Sequence, residues 1–320
     1  MFHYKIYGLT IASEIELKEA IVAEFNEPAQ VTICYGVMPE FIWKKYKESY
    51  NRSICRQQYS WIYYEGVGHF LMKGGSEIII QLDTREDMKH VRAILLGYCL
   101  ATILYQKNII GIHASAVVME NQVVLVSGLS GAGKSTITSK LMELGYSMLS
   151  DDLVAVQSID GRMEAVPAYP QQKLCRDTAL NMGYQLEQLE RLDEEREKYA
   201  VRLEKEFVTT PKPILSLIVM EKYNGTELKI EKIEGSQKIS ELIGCLYNID
   251  YYNIEGLETE VFRQLILLAK QIHILHIRRP IQQDTTQQIV DTIIESVADV
   301  AGNLQEKWEG DKALCQQSTE

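Results

Sequence analysis

Two hydrophobic rhythms run along this chain. From residue 4 to about residue 82, short runs rich in β-branched and aromatic residues are separated by glycine and polar turns: "YKIYGLTIASEIEL", "QVTICYGV", "QQYSWIYYEGVGHFLMKGG" and "SEIIIQL". That pattern predicts strands, and their succession predicts a small antiparallel sheet. The rhythm then changes. "REDMKHVRAILLGYCLATILYQKN" (85–108) repeats its apolar residues at helical spacing on a broad face, which predicts a buried helix bridging this sheet to the rest of the chain. Its most apolar part, residues 91–106, is too short for a membrane span and carries Arg92 near its start.

Beyond it, "IIGIHASAVVMENQVVLVSG" (109–128) predicts two strands around a turn at Glu120-Asn121. A glycine-rich loop, a helix from about Lys134 to Gly145 and a strand over "YSMLSDDLVAVQ" come next. Strand, loop, helix and strand in that order predict an α/β core. "EQLERLDEEREKYAVRLEKE" (187–206) reads as a charged, solvated helix face. "PKPILSLIVMEK" (211–222) predicts a buried strand, "SELIGCLYNID" and "TEVFRQLILLAKQ" two helices, and "IHILHIRRP" a strand ending at Pro280. "TTQQIVDTIIESVADVAGN" predicts an amphipathic helix before a polar tail. The expected units are a strand-rich domain over 1–85, a bridging helix over 86–108, a core over 109–302 and a tail over 303–320.

Composition narrows the function classes. At 46% hydrophobic and 24% charged, the 320 residues suit a folded globular protein of one or two domains. A net charge of -11 argues against a general nucleic-acid binder, which needs a basic face to displace counterions. The six cysteines are scattered without a C-x-x-C pair, so neither a zinc knuckle nor a redox motif is visible, and reduced cytoplasmic thiols are expected. The start shows no basic region followed by an apolar run, so no secretory signal or membrane association is expected.

The chemistry concentrates in "VVLVSGLSGAGKSTITSKLMELGYSMLSDDLVAV", residues 123–156. Gly128, Leu129, Ser130, Gly131, Ala132, Gly133, Lys134 and Ser135 fit G-x-x-x-x-G-K-S/T. Glycines there let successive N–H groups turn inward, and a helix start adds its unpaired amides. Lys134 is placed to reach the β- and γ-phosphates of a nucleotide, and Ser135 to ligate a bridging magnesium ion. Thr136 continues the nucleotide-binding loop. An acidic pair, Asp151 and Asp152, comes after the next apolar run. One carboxylate there suits magnesium and the other suits accepting a proton from an attacking hydroxyl. Adjacent strand residues face opposite ways unless the strand ends there.

These residues, in this order, resemble the HPr kinase family of bacterial P-loop protein serine kinases. The family pattern of a strand with a His, a hairpin, the loop, a helix ending in Gly and an Asp-Asp pair reads here "GIHASAVVMENQVVLVSGLSGAGKSTITSKLMELGYSMLSDDLVAV". The resemblance implies an α/β fold with a P-loop core of the HPr kinase and PEP carboxykinase type, carrying an added N-terminal strand-rich domain. It implies ATP and magnesium, a catalytic role for His113, Asp151 as the proton-accepting carboxylate and Asp152 as the metal's helper. HPr kinases are hexamers, so a homo-oligomer is implied unless the added domain prevents it. Thr136 stands where that family usually has Glu, and no Leu-Glu-Ile-Arg-Gly-like run comes later. Both departures point away from HPr itself as substrate. A closer likeness is to the HPr-kinase-like branch encoded with lasso peptide biosynthesis, on "YKIYGLTIASEIEL", "YPQQKLCRDTALNMG" (169–183) and "FVTTPKPIL" (207–215). It implies phosphorylation of the C-terminal serine of a ribosomally made precursor peptide. The alternatives are an HPr-type protein kinase/phosphorylase or small-substrate kinase of the same fold, and a nucleotide-binding regulatory ATPase.

A kinase must also neutralise the transferring phosphoryl group and orient its acceptor. Lys173 and Arg176, read at the start of a helix, are candidates for a phosphate or a peptide carboxylate, with Arg202 a lesser one. Arg278 and Arg279 read mainly as strand-end charge, and His273 and His276, three apart on a strand, do not suit a shared metal.

Overall fold

The computed structural model describes residues 1–48, 53–83, 88–193, 197–203, 205–249, 251–252 and 256–299. The predicted tail, 303–320, lies outside them.

The N-terminal run forms one seven-stranded sheet. Its strands lie in the spatial order Phe2–Ile6, Leu9–Ser13, Val31–Tyr35, Glu77–Leu82, Gly68–Lys73, Tyr59–Tyr64 and Ser53–Ile54. It is mixed rather than antiparallel, because Val31–Tyr35 runs parallel to both of its neighbours. Both of its connections are crossovers, so parallel pairing is what the chain path allows. Alternation then sorts the side chains. Phe70, Met72, Ile78 and Ile80 point to one face, where Val91, Leu95 and Ile103 cover them. Trp61 and Leu71 point to the other, under Ile42 of the helix Glu40–Glu48.

The predicted bridging helix is a buried wall. It runs as Met88–Ile94, a π turn at Leu95–Cys99, and Leu100–Gln106. Its apolar cluster continues into Leu153, Ala155, Val166, Ala168 and Tyr169 of the next part of the chain. Polar ties cross the same boundary: Tyr7 N–H donates to the Pro167 carbonyl at 2.8 Å, and Gln157 Nε2 donates to the Tyr7 carbonyl at 3.0 Å. Arg92 bonds Glu19 at 2.8 Å. Among the described residues, no helix is long and apolar enough to cross a membrane.

The second sheet has nine strands. At its heart Gln122–Gly128, Lys212–Tyr223 and His273–Pro280 run parallel. Val123 and Leu125 face a cluster with Leu265 and Leu268 of the helix Thr259–Gln271. Val124 and Val126 face Ile137 and Leu141 of the helix Lys134–Glu143, together with Ile289 and Ile293 of the helix over 286–299. Helices on both faces of a parallel centre make an α/β core.

Three local expectations are corrected. The stretch 109–128 makes three strands, Ile110–Ile112, Ala114–Met119 and Gln122–Gly128, with a break at His113. The last two close through Glu120 and Asn121 at φ 46° and 62°, the left-handed pair of a tight hairpin. "YSMLSDDLVAVQ" is two strands, Ser147–Ser150 and Val154–Ile159, pairing with different partners. The charged run 187–206 is no helix in its described part. It holds a 3₁₀ turn at Leu186–Gln188 and the strands Glu190–Asp193 and Lys198–Arg202, which join Gln171–Cys175 in a three-stranded sheet. Tyr199, Val201 and Leu203 alternate inward there, and that period of two outweighs the charge pattern.

Candidate active site

The glycine-rich loop stands at the C-terminal ends of the three parallel strands, where open α/β sheets place their ligands. Gly128, Gly131 and Gly133 have φ of 142°, 78° and 108°, a region that disfavours any other residue. A Cβ on Gly128 would also collide with the Met220 carbonyl oxygen. The helix Lys134–Glu143 begins after Gly133 with no side-chain cap. Its first N–H groups are left for an anion.

Lys134 Nζ donates to the Gly128 carbonyl at 2.6 Å and lies 3.2 Å from His113 Nε2. An ammonium only donates, so Nε2 accepts and the ring proton sits on Nδ1. From there it is donated to the Asp152 carbonyl oxygen 3.1 Å away. Burial holds the His113 imidazole below its ordinary value despite the nearby Asp152 carboxylate, which agrees with a neutral ring. Burial likewise lowers Lys134, with Asp152 opposing.

The acidic pair splits where the strand breaks. Asp152 has φ 69°, a left-handed turn that Asp tolerates, and Leu153 N–H closes back on the Asp151 carbonyl at 2.9 Å. Asp151 is buried, and its two carboxylate oxygens accept from Ser115 Oγ at 2.5 Å and from Lys173 N–H at 2.7 Å. Burial raises its pKa more than those bonds lower it. Asp152 pairs with Lys173 Nζ at 2.9 Å and lies 3.6 Å from His113 Nδ1. Burial opposes its charge, but Lys173 and His113 outweigh it and hold the carboxyl well below the ordinary range.

The other candidates separate. Lys173 lies on the strand Gln171–Cys175, inside the site. Arg176 opens the short helix Arg176–Asn181 and faces Glu197 at 3.6 Å, and Arg202 donates to the Lys18 carbonyl at 3.1 Å. Neither lines the opening above Asp152. Ser130 is exposed on the loop and Ala132 is buried beneath it. Thr136 Oγ1 lies 3.4 Å from Thr178 Oγ1. Arg278 faces Glu231 at 3.7 Å. Arg279 does more than end a strand: its Nε donates to the Ala132 carbonyl at 2.8 Å and braces the loop. His276 sits between Glu221 and Glu241, at 3.2 and 3.4 Å.

Magnesium is tested by the donors present. Among the described residues no three His, Cys, Asp or Glu gather as a metal cage. A magnesium ion bridging phosphates needs only one or two protein oxygens. The oxygens on offer are Ser135 Oγ, which donates to the Lys173 carbonyl at 3.3 Å, and the Asp152 carboxylate, which pairs with the Lys173 ammonium.

Beyond Asp152 and Lys173 opens a cleft of ≈ 210 Å³. It is also lined by Glu19, by Lys89, Ala93 and Leu96 of the buried helix, and by Leu192 and Lys198. Leu96 belongs to the π turn of the buried helix. Sequence reading missed Glu19, Lys89 and Lys198. For Lys198 a signal existed in the Tyr199, Val201, Leu203 alternation.

No family model matches the chain, and no curated protein matches it. Among solved structures it is similar to the Hpr(Ser) kinase/phosphatase from Coxiella burnetii, with 12% identity and a TM-score of 0.33 over 61% of this chain and 95% of that one. At that score and identity the likeness decides nothing about site or activity.

Proposed function

We propose that this protein is an ATP- and magnesium-dependent kinase acting on a serine hydroxyl. The observation that carries the reading is the chain of contacts leading from the glycine-rich loop: Lys134 to His113, whose Nδ1 bonds to the Asp152 carbonyl and lies 3.6 Å from the Asp152 carboxylate, which lines a cleft open to an acceptor. A loop that only sensed nucleotide would have no use for a carboxylate facing a second compartment.

In this reading the triphosphate lies on residues 128–135, and Lys134 turns from the Gly128 carbonyl to the γ-phosphate. The acceptor hydroxyl enters from the cleft. Its oxygen bonds to the γ-phosphorus in line, the bond from phosphorus to the β–γ bridging oxygen breaks, and ADP leaves with that electron pair. The hydroxyl proton passes to the Asp152 carboxylate. We assign the base role to Asp152 rather than Asp151 on access. Asp152 lines the cleft and only its Oδ2 is engaged, by Lys173, its Oδ1 lying 3.6 Å from His113. Asp151 does not line the cleft, and both its oxygens accept hydrogen bonds. This access outweighs the lowered pKa of Asp152, which makes it the weaker proton acceptor. Asp151 instead anchors the turn and the strand of Lys173. His113 holds Asp152 and Lys134 in register. Ser135 and Asp152 would hold a magnesium ion, which would supply neutralisation of phosphate charge.

The proposed acceptor is the C-terminal serine of a lasso precursor peptide. Its support is the likeness of residues 4–17, 169–183 and 207–215 to that branch. The test is intact mass after incubation with magnesium-ATP and three candidates: a precursor ending in serine, the same peptide ending in alanine, and HPr. A phosphate-sized gain on the serine-ended peptide alone is expected. A gain on HPr moves the protein to the parent activity. ATP consumption with no phosphorylated product sinks the kinase reading in favour of a regulatory ATPase.

A further inference from the structure

The cleft above Asp152 carries more charge than the transfer reaction uses. Lys173 pairs with Asp152, and Glu19 with Arg92 at 2.8 Å, the same Arg92 lying 3.7 Å from Glu190. Lys89 and Lys198 line the same cleft; neither ammonium makes a hydrogen bond or ion pair among the described residues, and Lys198 is near enough to Asp152, His113 and Lys134 to act on their charges. Two such cations facing one small space stand out in a chain of net charge -11. They come from different parts of the fold, Lys89 from the buried helix and Lys198 from the three-stranded sheet. Both are half-buried. Two like charges beside one partly desolvated space favour an anion there, in addition to the Asp152 carboxylate that Lys198 already acts on. Glu19 adds a complementary feature. Its Oε2 is buried without a hydrogen-bond partner, and it calls for a donor.

We propose that Lys89 and Lys198 form the recognition site for a carboxylate on the acceptor, with Glu19 taking an N–H beside it. The proposal rests on the kinase reading and sharpens its substrate class. The acceptor is a hydroxyl compound whose carboxylate lies a few bonds from that hydroxyl, as at a chain-terminal serine. The hydroxyl then meets Asp152 while the carboxylate is held by the two lysines that line the same cleft. Arg176 and Arg202, the arginines first considered for this task, lie outside the cleft. The site also gives the N-terminal part a use: it supplies Glu19 and Lys89, so neither part of the chain completes the acceptor site alone.

The experiment is calorimetry on the full chain with a non-hydrolysable ATP analogue bound. The probes are a synthetic hexapeptide ending in serine with a free carboxylate and the same peptide as its C-terminal amide. The free acid should bind at least about tenfold more tightly, the effect of one charge-assisted contact. Lys89→Ala with Lys198→Ala should bring the acid down to the affinity of the amide. Lys89→Arg with Lys198→Arg should keep the preference. Retained binding of the ATP analogue reports that each variant is folded. Equal binding of acid and amide, no binding of either, or a preference that survives the double alanine variant overturns the proposal. Phosphate transfer is read separately by mass. A wild type that prefers the acid yet transfers no phosphate sinks the kinase reading and leaves the carboxylate site supported.

Discussion

Lys173 holds both aspartates at once: its ammonium pairs with Asp152 at 2.9 Å, and its own backbone N–H donates to Asp151 at 2.7 Å. One strand residue thereby sets the position of the whole acidic turn. The two carboxylates, adjacent in sequence, have different duties.

Their substitutions should therefore differ in kind. Asp152→Asn should lower phosphate transfer by roughly 10²–10⁴, the usual worth of a positioned base, while ATP-analogue binding persists. Asp151→Asn should act on stability. Its new amide faces two donors, leaving one buried group unpaired at a cost of about 1–3 kcal/mol. Denaturant titration and single-turnover transfer, run on both variants, separate the effects. Equal loss of transfer with unchanged stability for Asp151→Asn would return the base role to Asp151.

Acidity gives a second test, through His113. Its folded value is lowered by burial, so as pH falls the unfolded chain takes up this proton first, near its ordinary value of about 6.5. This contribution to stability is full above that pH and is lost progressively below it. Protonation also removes the lone pair that accepts from Lys134 and sets two cations 3.2 Å apart. Transfer should fall on the acid side with a midpoint below about 6.5. His113→Gln should flatten that limb of the pH–rate profile. A limb unchanged in His113→Gln would assign the titration elsewhere.

Arg279 offers a third. Its bond to the Ala132 carbonyl braces the glycine-rich loop. Arg279→Met removes the donor and keeps much of the side-chain volume, so nucleotide affinity should drop about tenfold, the equivalent of one hydrogen bond near 1.4 kcal/mol. Fluorescent-nucleotide titration reads it directly. Unchanged affinity would make the contact incidental.

A fourth prediction concerns the shared core. Leu153 stands directly after Asp152, yet packs in the cluster of the N-terminal sheet and the buried helix. Leu153→Ala should cost about 2–5 kcal/mol. If the two parts are one cooperative unit, chemical unfolding of a Trp308→Phe background followed by tryptophan emission, which then reports Trp43 and Trp61 of the N-terminal part, should shift as far as unfolding followed by circular dichroism. Separate transitions would show that they unfold independently.

Much of this protein was readable along the chain because the governing rules are local. The loop from Gly128 to Ser135 needs glycines where φ is positive and a helix directly after it, and both requirements are met by neighbours in sequence. The strands and helices of the α/β core emerged from periods of two and of 3.6 in the same way. Periodicity failed where long-range pairing overrode local signals: at the charged run 187–206, which pairs as strands against Gln171–Cys175, and in the parallel pairing of Val31–Tyr35. Which aspartate lines the cleft, and which lysines line it with that residue, came from folding alone. Ser115 and Lys173 claim Asp151 from positions 36 and 22 residues away. Lys89 and Lys198 meet across a cleft because two sheets and a buried helix share one apolar cluster. Contacts of that kind depend on how distant surfaces pack, and no window of neighbouring residues contains that information.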